Sequence, residues 1–192
     1  MYSQVINYIK QRVEISREEI EESLKYSDFK KYAKGDYILR AGEYCRFIGF
    51  LNKGFIVTTF VDDTGNEKAS EFKHEGCFFT YTEGLTNNHP SHKNFIAIED
   101  CEALVLNKEH LSFIFKANPK FETLFSLILA EELRLVLLNE QNRKTQSVEE
   151  RYLALENTFP QALQRIPVKY MAGYLGIESQ SLSRLRRRLA GK

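Results

Sequence analysis

Val168–Leu189 reads VKYMAGYLGIESQSLSRLRRRL. Apolar residues at Met171, Leu175, Ile177, Leu182 and Leu185 have the spacing of two short helices that bury a common seam. The first helix runs from Val168 to Leu175. It is introduced by Pro167, whose missing N–H costs nothing in a first turn, and stopped by Gly176, where the chain needs a positive φ. The second runs from Ser179 to Leu189, and Ala172 is small where the two cross. This is the layout of a helix-turn-helix, whose second helix enters the major groove of DNA.

A helical wheel sorts the arginines of the second helix. Leu182, Leu185 and Leu189 share one side, while Gln180, Arg184 and Arg187 lie opposite, flanked by Ser183 and Arg188. Glutamine pairs with adenine and arginine with guanine through two hydrogen bonds each, so Gln180 and Arg184, near the N-terminal end, are expected to read bases. Arg187, Arg188, Ser179, Ser183, Lys169 and Tyr170 are expected to flank them or hold phosphates. Arg186 lies nearer the buried side, where its stem can cover apolar surface. Charge runs on solvated helices normally mix signs, and this one contains no acid.

The whole chain of 192 residues carries 27 basic and 26 acidic side chains. From Ser147 onward there are 8 basic against 4 acidic residues, which leaves 19 against 22 upstream. A mildly acidic body with a basic end points to a polyanion partner for that end only. No apolar run is long enough to cross a membrane, and the charged N-terminus MYSQVINYIKQRVEISREE lacks the apolar block of a secretory signal, so the expected location is cytoplasmic. Cys45, Cys77 and Cys101 are scattered and contain no C-x-x-C pair, so buried free thiols are expected rather than a zinc site or a disulfide. No catalytic constellation is present, and no enzyme activity is expected.

Upstream the texture is different. An amphipathic helical stretch from about Tyr2 to Tyr26, broken near Ile15-Ser16, precedes a glycine-punctuated region of short β-rich runs from Phe29 to Leu106. Such spacing predicts an all-β sandwich or barrel, with DDTGNE (62–67) as a hairpin tip. Phe121 to Lys144 then contains no Gly or Pro, and 11 of the 15 residues from Leu124 to Leu138 are apolar. Apolar residues nearly all round a helix predict burial on more than one face, one against its own β-domain and the other against a partner subunit. Ser147 with Glu150 forms a capping box for a further helix ending at Pro160. The fold class is therefore α+β. Residues 1–117 form a jelly-roll-like β-roll sensor with N-terminal helices, residues 118–145 a dimerisation helix, and residues 146–192 a helix-turn-helix domain.

At this point the chain resembles the Crp/Fnr family of bacterial transcription regulators. The resemblance rests on KKYAKGDYILRAGE (30–43), FLNKGFIVTTFVDDTGNEK, the EDCEALVLNKEHL strand, the long helix, and residues 166 to 189. It implies a homodimer on a two-fold-symmetric double-stranded DNA operator, with Arg184 in the place of the family's base-reading arginine. RNA polymerase is a candidate further partner. The strands that often follow the second helix as a wing are not expected here.

Members that bind cyclic nucleotides carry a Gly-Glu pair for the ribose and an Arg-Ser pair for the phosphate. Here Thr80-Tyr81 stands at the first position and Ser91-His92 or Lys93 at the second. A lone Lys or His replaces Arg poorly at a buried phosphate, so cyclic AMP is not the expected effector, and no cofactor is assigned. Phe78, Phe79, Tyr81, Glu83, His92 and Lys93 either line a pocket for another small ligand or are filled core and rim. Three scattered cysteines do not suggest the iron-sulfur cluster that other members use. His89 and His92 could be metal ligands of a cupin-like enzyme, but no third ligand stands at strand spacing, so no metal site is expected. The competing reading from another class is a ligand-binding β-roll whose helical end is an interaction module with no operator.

Overall fold

The computed structural model describes residues 2–158 and 162–191. Its first half is a sandwich of two four-stranded antiparallel sheets. One has the order β1 (Ser27–Tyr32), β8 (Cys101–Asn107), β3 (Phe47–Lys53), β6 (Phe78–Phe79); the other has the order β2 (Tyr37–Leu39), β7 (Lys93–Ala97), β4 (Ile56–Val61), β5 (Glu67–Lys73). Alternation along the strands sends Leu39, Leu51, Ile56, Phe79, Phe95 and Val105 into the space between the sheets. Gly49 pairs with Phe79 across β3 and β6, and a Cβ there would stand 2.2 Å from the Phe79 ring. The β4–β5 hairpin turns at Asp62, whose carboxylate accepts from the Thr64 and Asn66 amides at 3.0 and 2.9 Å.

Helices cover the outer face of the β1-β8-β3-β6 sheet. The N-terminal stretch is two separate helices, α1 (Ser3–Lys10) and α2 (Arg17–Leu24), and Ser16 with Glu19 forms a full capping box on the second. Val5, Ile9, Ile20 and Leu24 pack on Phe50 and Leu104 of the sheet. Two short helices were not expected from sequence: α3 (Thr82–Asn87) and α4 (Lys108–Ala117). The terminal β-run stops at Asn107, and Leu111 and Ile114, three residues apart, bury the inner side of α4.

The long helix α5 (Lys120–Thr145) tucks Phe121 and Leu124 into the same cluster as α1 and α2. Its second apolar face is bare in the single chain: Leu133 and Leu137 are 60% and 61% exposed. Then follow α6 (Val148–Thr158), α7 (Ala162–Arg165), α8 (Val168–Leu175) and α9 (Ser179–Ala190). The capping box before α6 is present, with the Ser147 amide donating to Glu150 at 2.7 Å and the Glu150 amide to the Ser147 hydroxyl at 3.2 Å. The expected end of α6 at Pro160 lies outside the described residues.

The C-terminal helices share one apolar cluster with the β-sandwich. Val57, Ala69, Ile96 and Ile98 on the outer face of the second sheet meet Tyr152, Ile166, Met171, Ala172, Leu175, Leu182 and Leu185. Each fully buried Met or Leu contributes roughly 1.5–3 kcal/mol, so this junction is a substantial part of what holds α6 to α9 together.

Candidate nucleic-acid interface

Gly176 closes α8 with φ +72°. The Ile177 amide donates to the Ala172 carbonyl at 3.0 Å and the Gly176 amide to Gly173 at 3.1 Å, the paired bonds of a Schellman stop. Met171, Ala172 and Leu175 from α8 then enclose Leu182 and Leu185 from α9. One side of α8 packs on α9, and Gly173 lies against Ala69 of β5.

Because α8 takes the contact with the sensor, the outward ridge of α9 stays open. Ser179, Gln180, Ser183, Arg184, Arg187 and Arg188 are all exposed. Arg184 donates to the Ser181 hydroxyl at 3.2 Å and Ser183 to the Ser179 carbonyl at 3.0 Å, both within the helix. Lys169 is exposed beside Tyr170, its ammonium 4.3 Å from the ring centroid, and the bond to Tyr170 raises its pKa. Arg186 turns inward, donating to the Leu163 carbonyl at 3.4 Å with its guanidinium 5.9 Å from the Tyr152 ring centroid.

Two cations of the basic end have acidic partners that the local sequence does not reveal. Arg188 is paired with Glu149 of α6. Arg165, 90 and 66 residues from its partners, inserts between Glu75 and Glu99 of the sensor and lies over the Phe55 ring at 4.3 Å. Burial pushes the Glu75 carboxyl up, but the bonds from Arg165 and the Gly54 amide outweigh it and hold the pKa below the usual value. Arg165 therefore serves the junction between the β-sandwich and the C-terminal helices, and on α9 Arg184 and Arg187 make no ion pair among the described residues.

The six residues considered for an effector pocket do not converge on one cavity. Phe78 and Phe79 are successive strand residues on opposite faces. Phe78 packs outward on Tyr8 and Phe50, with centroids at 5.1 and 4.9 Å, while Phe79 packs inward on Phe47 and Phe95. Tyr81, Glu83 and His92 do meet: the Tyr81 hydroxyl donates to Glu83 and lies 2.7 Å from His92 Nδ1. Burial and the Glu83 carboxylate push the Tyr81 phenol up to about 12. Thr80 donates to the Phe47 carbonyl of β3 at 2.7 Å and Ser91 to the Lys93 carbonyl at 2.7 Å, so both hydroxyls are committed to backbone.

Cys45 and Cys101 are buried, whereas Cys77 is only partly so, and burial raises the thiol pKa of Cys77 and Cys101, the latter to about 11. Among the described residues no cluster of His, Cys, Asp and Glu could hold a metal ion, and no helix is long and apolar enough to cross a membrane.

Sequence reasoning missed the Lys73–Glu132 pair and the Arg165 bridge. No local signal marks them, because each joins segments remote in the chain.

A β-sandwich, a long helix and two short helices joined at a glycine stop, the second bearing an open cationic ridge, together have the fold of the Crp/Fnr-type proteins. Residues 29–118 match the model of the cyclic nucleotide-binding domain family. The catabolite activator protein of Thermus thermophilus is 20% identical, covering 93% of this chain and 85% of its own, at a TM-score of 0.60. The c-di-GMP-responsive global regulator CLP of Xanthomonas campestris is 16% identical, covering 92% of both chains at 0.72. FixK2 of Bradyrhizobium japonicum is also 16% identical, covering 86% and 85% at 0.72. Among curated protein sequences, none matches this chain.

Proposed function

We propose that this protein is a DNA-binding transcription regulator of the Crp/Fnr type. It binds a two-fold-symmetric operator as a homodimer, and its sensor does not take cyclic AMP. The carrying observation is the ridge of α9, where Gln180, Arg184 and Arg187 stand exposed on a helix whose other side is fixed by Leu182 and Leu185. A helix of this size fits the major groove, and Gln and Arg near its start can each make two bonds to a base edge. The bare Leu133–Leu137 face of α5 supports pairing with a second copy, which would place two such ridges about one helical turn of DNA apart. Across Thr80 to Lys93, the Thr80 and Ser91 hydroxyls donate to backbone carbonyls, the Tyr81 hydroxyl donates to Glu83 and no arginine is present, which argues against a cyclic phosphate.

A mobility-shift titration of the full chain against its own upstream DNA, repeated across salt, tests this reading. Affinity is expected to fall steeply with salt, because condensed counterions released into a saltier solution gain less entropy. Arg184→Ala is expected to cost about 1–3 kcal/mol and to relax preference at one position of each half-site. A dimer that gives no shift at low salt would leave the interaction-module reading in its place.

A further inference from the structure

Between the second sheet, α5 and α6 lies a crevice of about 290 Å³, near the lower end of volumes that hold small ligands. One part of its wall is apolar, with Phe72 from β5, Leu135 from α5 and Leu155 from α6. Another part is polar and includes Asn139, Asn142, Gln146 and Arg151. It is separate from the Tyr81–His92 loop.

Two buried polar atoms on this wall have no hydrogen-bond partner: Oε1 of Gln146, an acceptor, and Nε of Arg151, a donor. Leaving either unmet costs about 1–3 kcal/mol, so a polar guest is favoured there. Arg151 is held in place because its Nη2 donates to the Leu175 carbonyl at 2.7 Å. Arg143 lines the same crevice and adds a second positive charge. Arg143, Arg151 and Tyr174 line the same crevice, where burial pushes the Tyr174 phenol up and both arginines draw it back. Lys73, by contrast, is already committed to Glu71 and Glu132.

We propose that this crevice binds a small amphipathic carboxylate. Its anionic oxygen takes the Nε–H of Arg151, an adjacent N–H or O–H donates to Oε1 of Gln146, and its apolar body lies against Phe72, Leu135 and Leu155. The walls come from the sensor, the long helix and the DNA-binding end, so an occupant touches all three. The consequence for DNA rests on the regulator reading; binding itself does not.

Titration of the ¹⁵N-labelled full-length chain with N-acetylphenylalanine tests the site in the free protein. Saturable shifts are expected at the side-chain amides of Asn139, Asn142 and Gln146, with the Tyr81–Lys93 loop unmoved. Gln146→Leu is expected to weaken the probe about tenfold, the loss of one bond in a buried polar site. Arg143→Gln, on a side chain that makes only a weak pair with Glu140, is expected to weaken it in the same direction. Absence of saturable shifts, shifts confined to the Tyr81–Lys93 loop, unchanged affinity in both variants, or displacement of the probe by cyclic AMP would each overturn the proposal.

Discussion

The ammonium of Lys73 on β5 lies 2.6 Å from each carboxylate oxygen of Glu132 on α5. Glu71 stands 2.8 Å away on the other side, and only 9% of the Lys73 side chain is exposed. Burial works against the Lys73 charge, but the two carboxylates more than compensate and raise its pKa. Burial raises that of Glu132, and Glu71 adds to the effect. The cluster fixes where the long helix lies on the sensor. Lys73→Met leaves two carboxylates facing each other without a cation and is expected to cost about 3–5 kcal/mol in urea unfolding. Adding Glu132→Leu is expected to recover much of that loss, and a double variant no more stable than Lys73→Met would refute the pairing.

At Gly173 a Cβ would stand 3.2 Å from the Ala69 amide nitrogen, a backbone atom with little freedom to give. Gly173→Val is expected to push α8 off β5 at a cost of roughly 1–3 kcal/mol, as overpacking does. Hydrogen exchange is expected to speed up at β5 amides facing α8 while the inner sandwich remains protected.

The Arg165 bridge predicts a pH dependence. Glu75 has a folded-state pKa below its ordinary value of 4.5, so its contribution is fully present above that value and is lost as pH falls through the lower folded-state value. Arg165→Met is therefore expected to lower Tm at pH 7, and the gap from wild type to narrow below about pH 4.5. A constant gap across that window would assign the effect to lost stacking on Phe55.

Leu137→Glu tests the bare face of α5. Opposed carboxylates across the two-fold axis of the proposed dimer would repel, so sedimentation equilibrium is expected to show a dimer for wild type and a monomer for the variant. The change lies at an exposed position, and the stability of the isolated chain is expected to move by no more than about 0.5 kcal/mol. A dimer that survives would place the subunit contact elsewhere.

The two short helices α8 and α9 and their common seam were legible because the evidence for them is local. Met171, Leu175, Leu182 and Leu185 declare a shared seam within 15 residues, and Gly176 marks the one position that needs left-handed backbone. The sandwich and the long helix announced themselves through turn residues and through the absence of Gly and Pro. The Tyr81–His92 contact lies within reach of local reading, but the opposed directions of Phe78 and Phe79 depend on a strand too short to show alternation. Arg165 illustrates the larger gap. Counted from composition it belongs to the cationic end, yet it is neutralised by Glu75 and Glu99, which only the folded chain brings to it.

The stop at Gly176 and the shared seam weld α8 and α9 into one unit, with Gly173 of α8 seated on Ala69 of β5 and the Gln180, Arg184 and Arg187 ridge of α9 exposed. At 1.5 Å per residue, α9 is about 18 Å long, so a tilt of roughly 10° at the seat sweeps its far end by about 3 Å. That sweep is comparable to the length of a hydrogen bond. A shift of β5 too small to disturb the sandwich can thus act as a gear, carrying Arg187 and Arg188 near that far end through a distance that makes or breaks a contact.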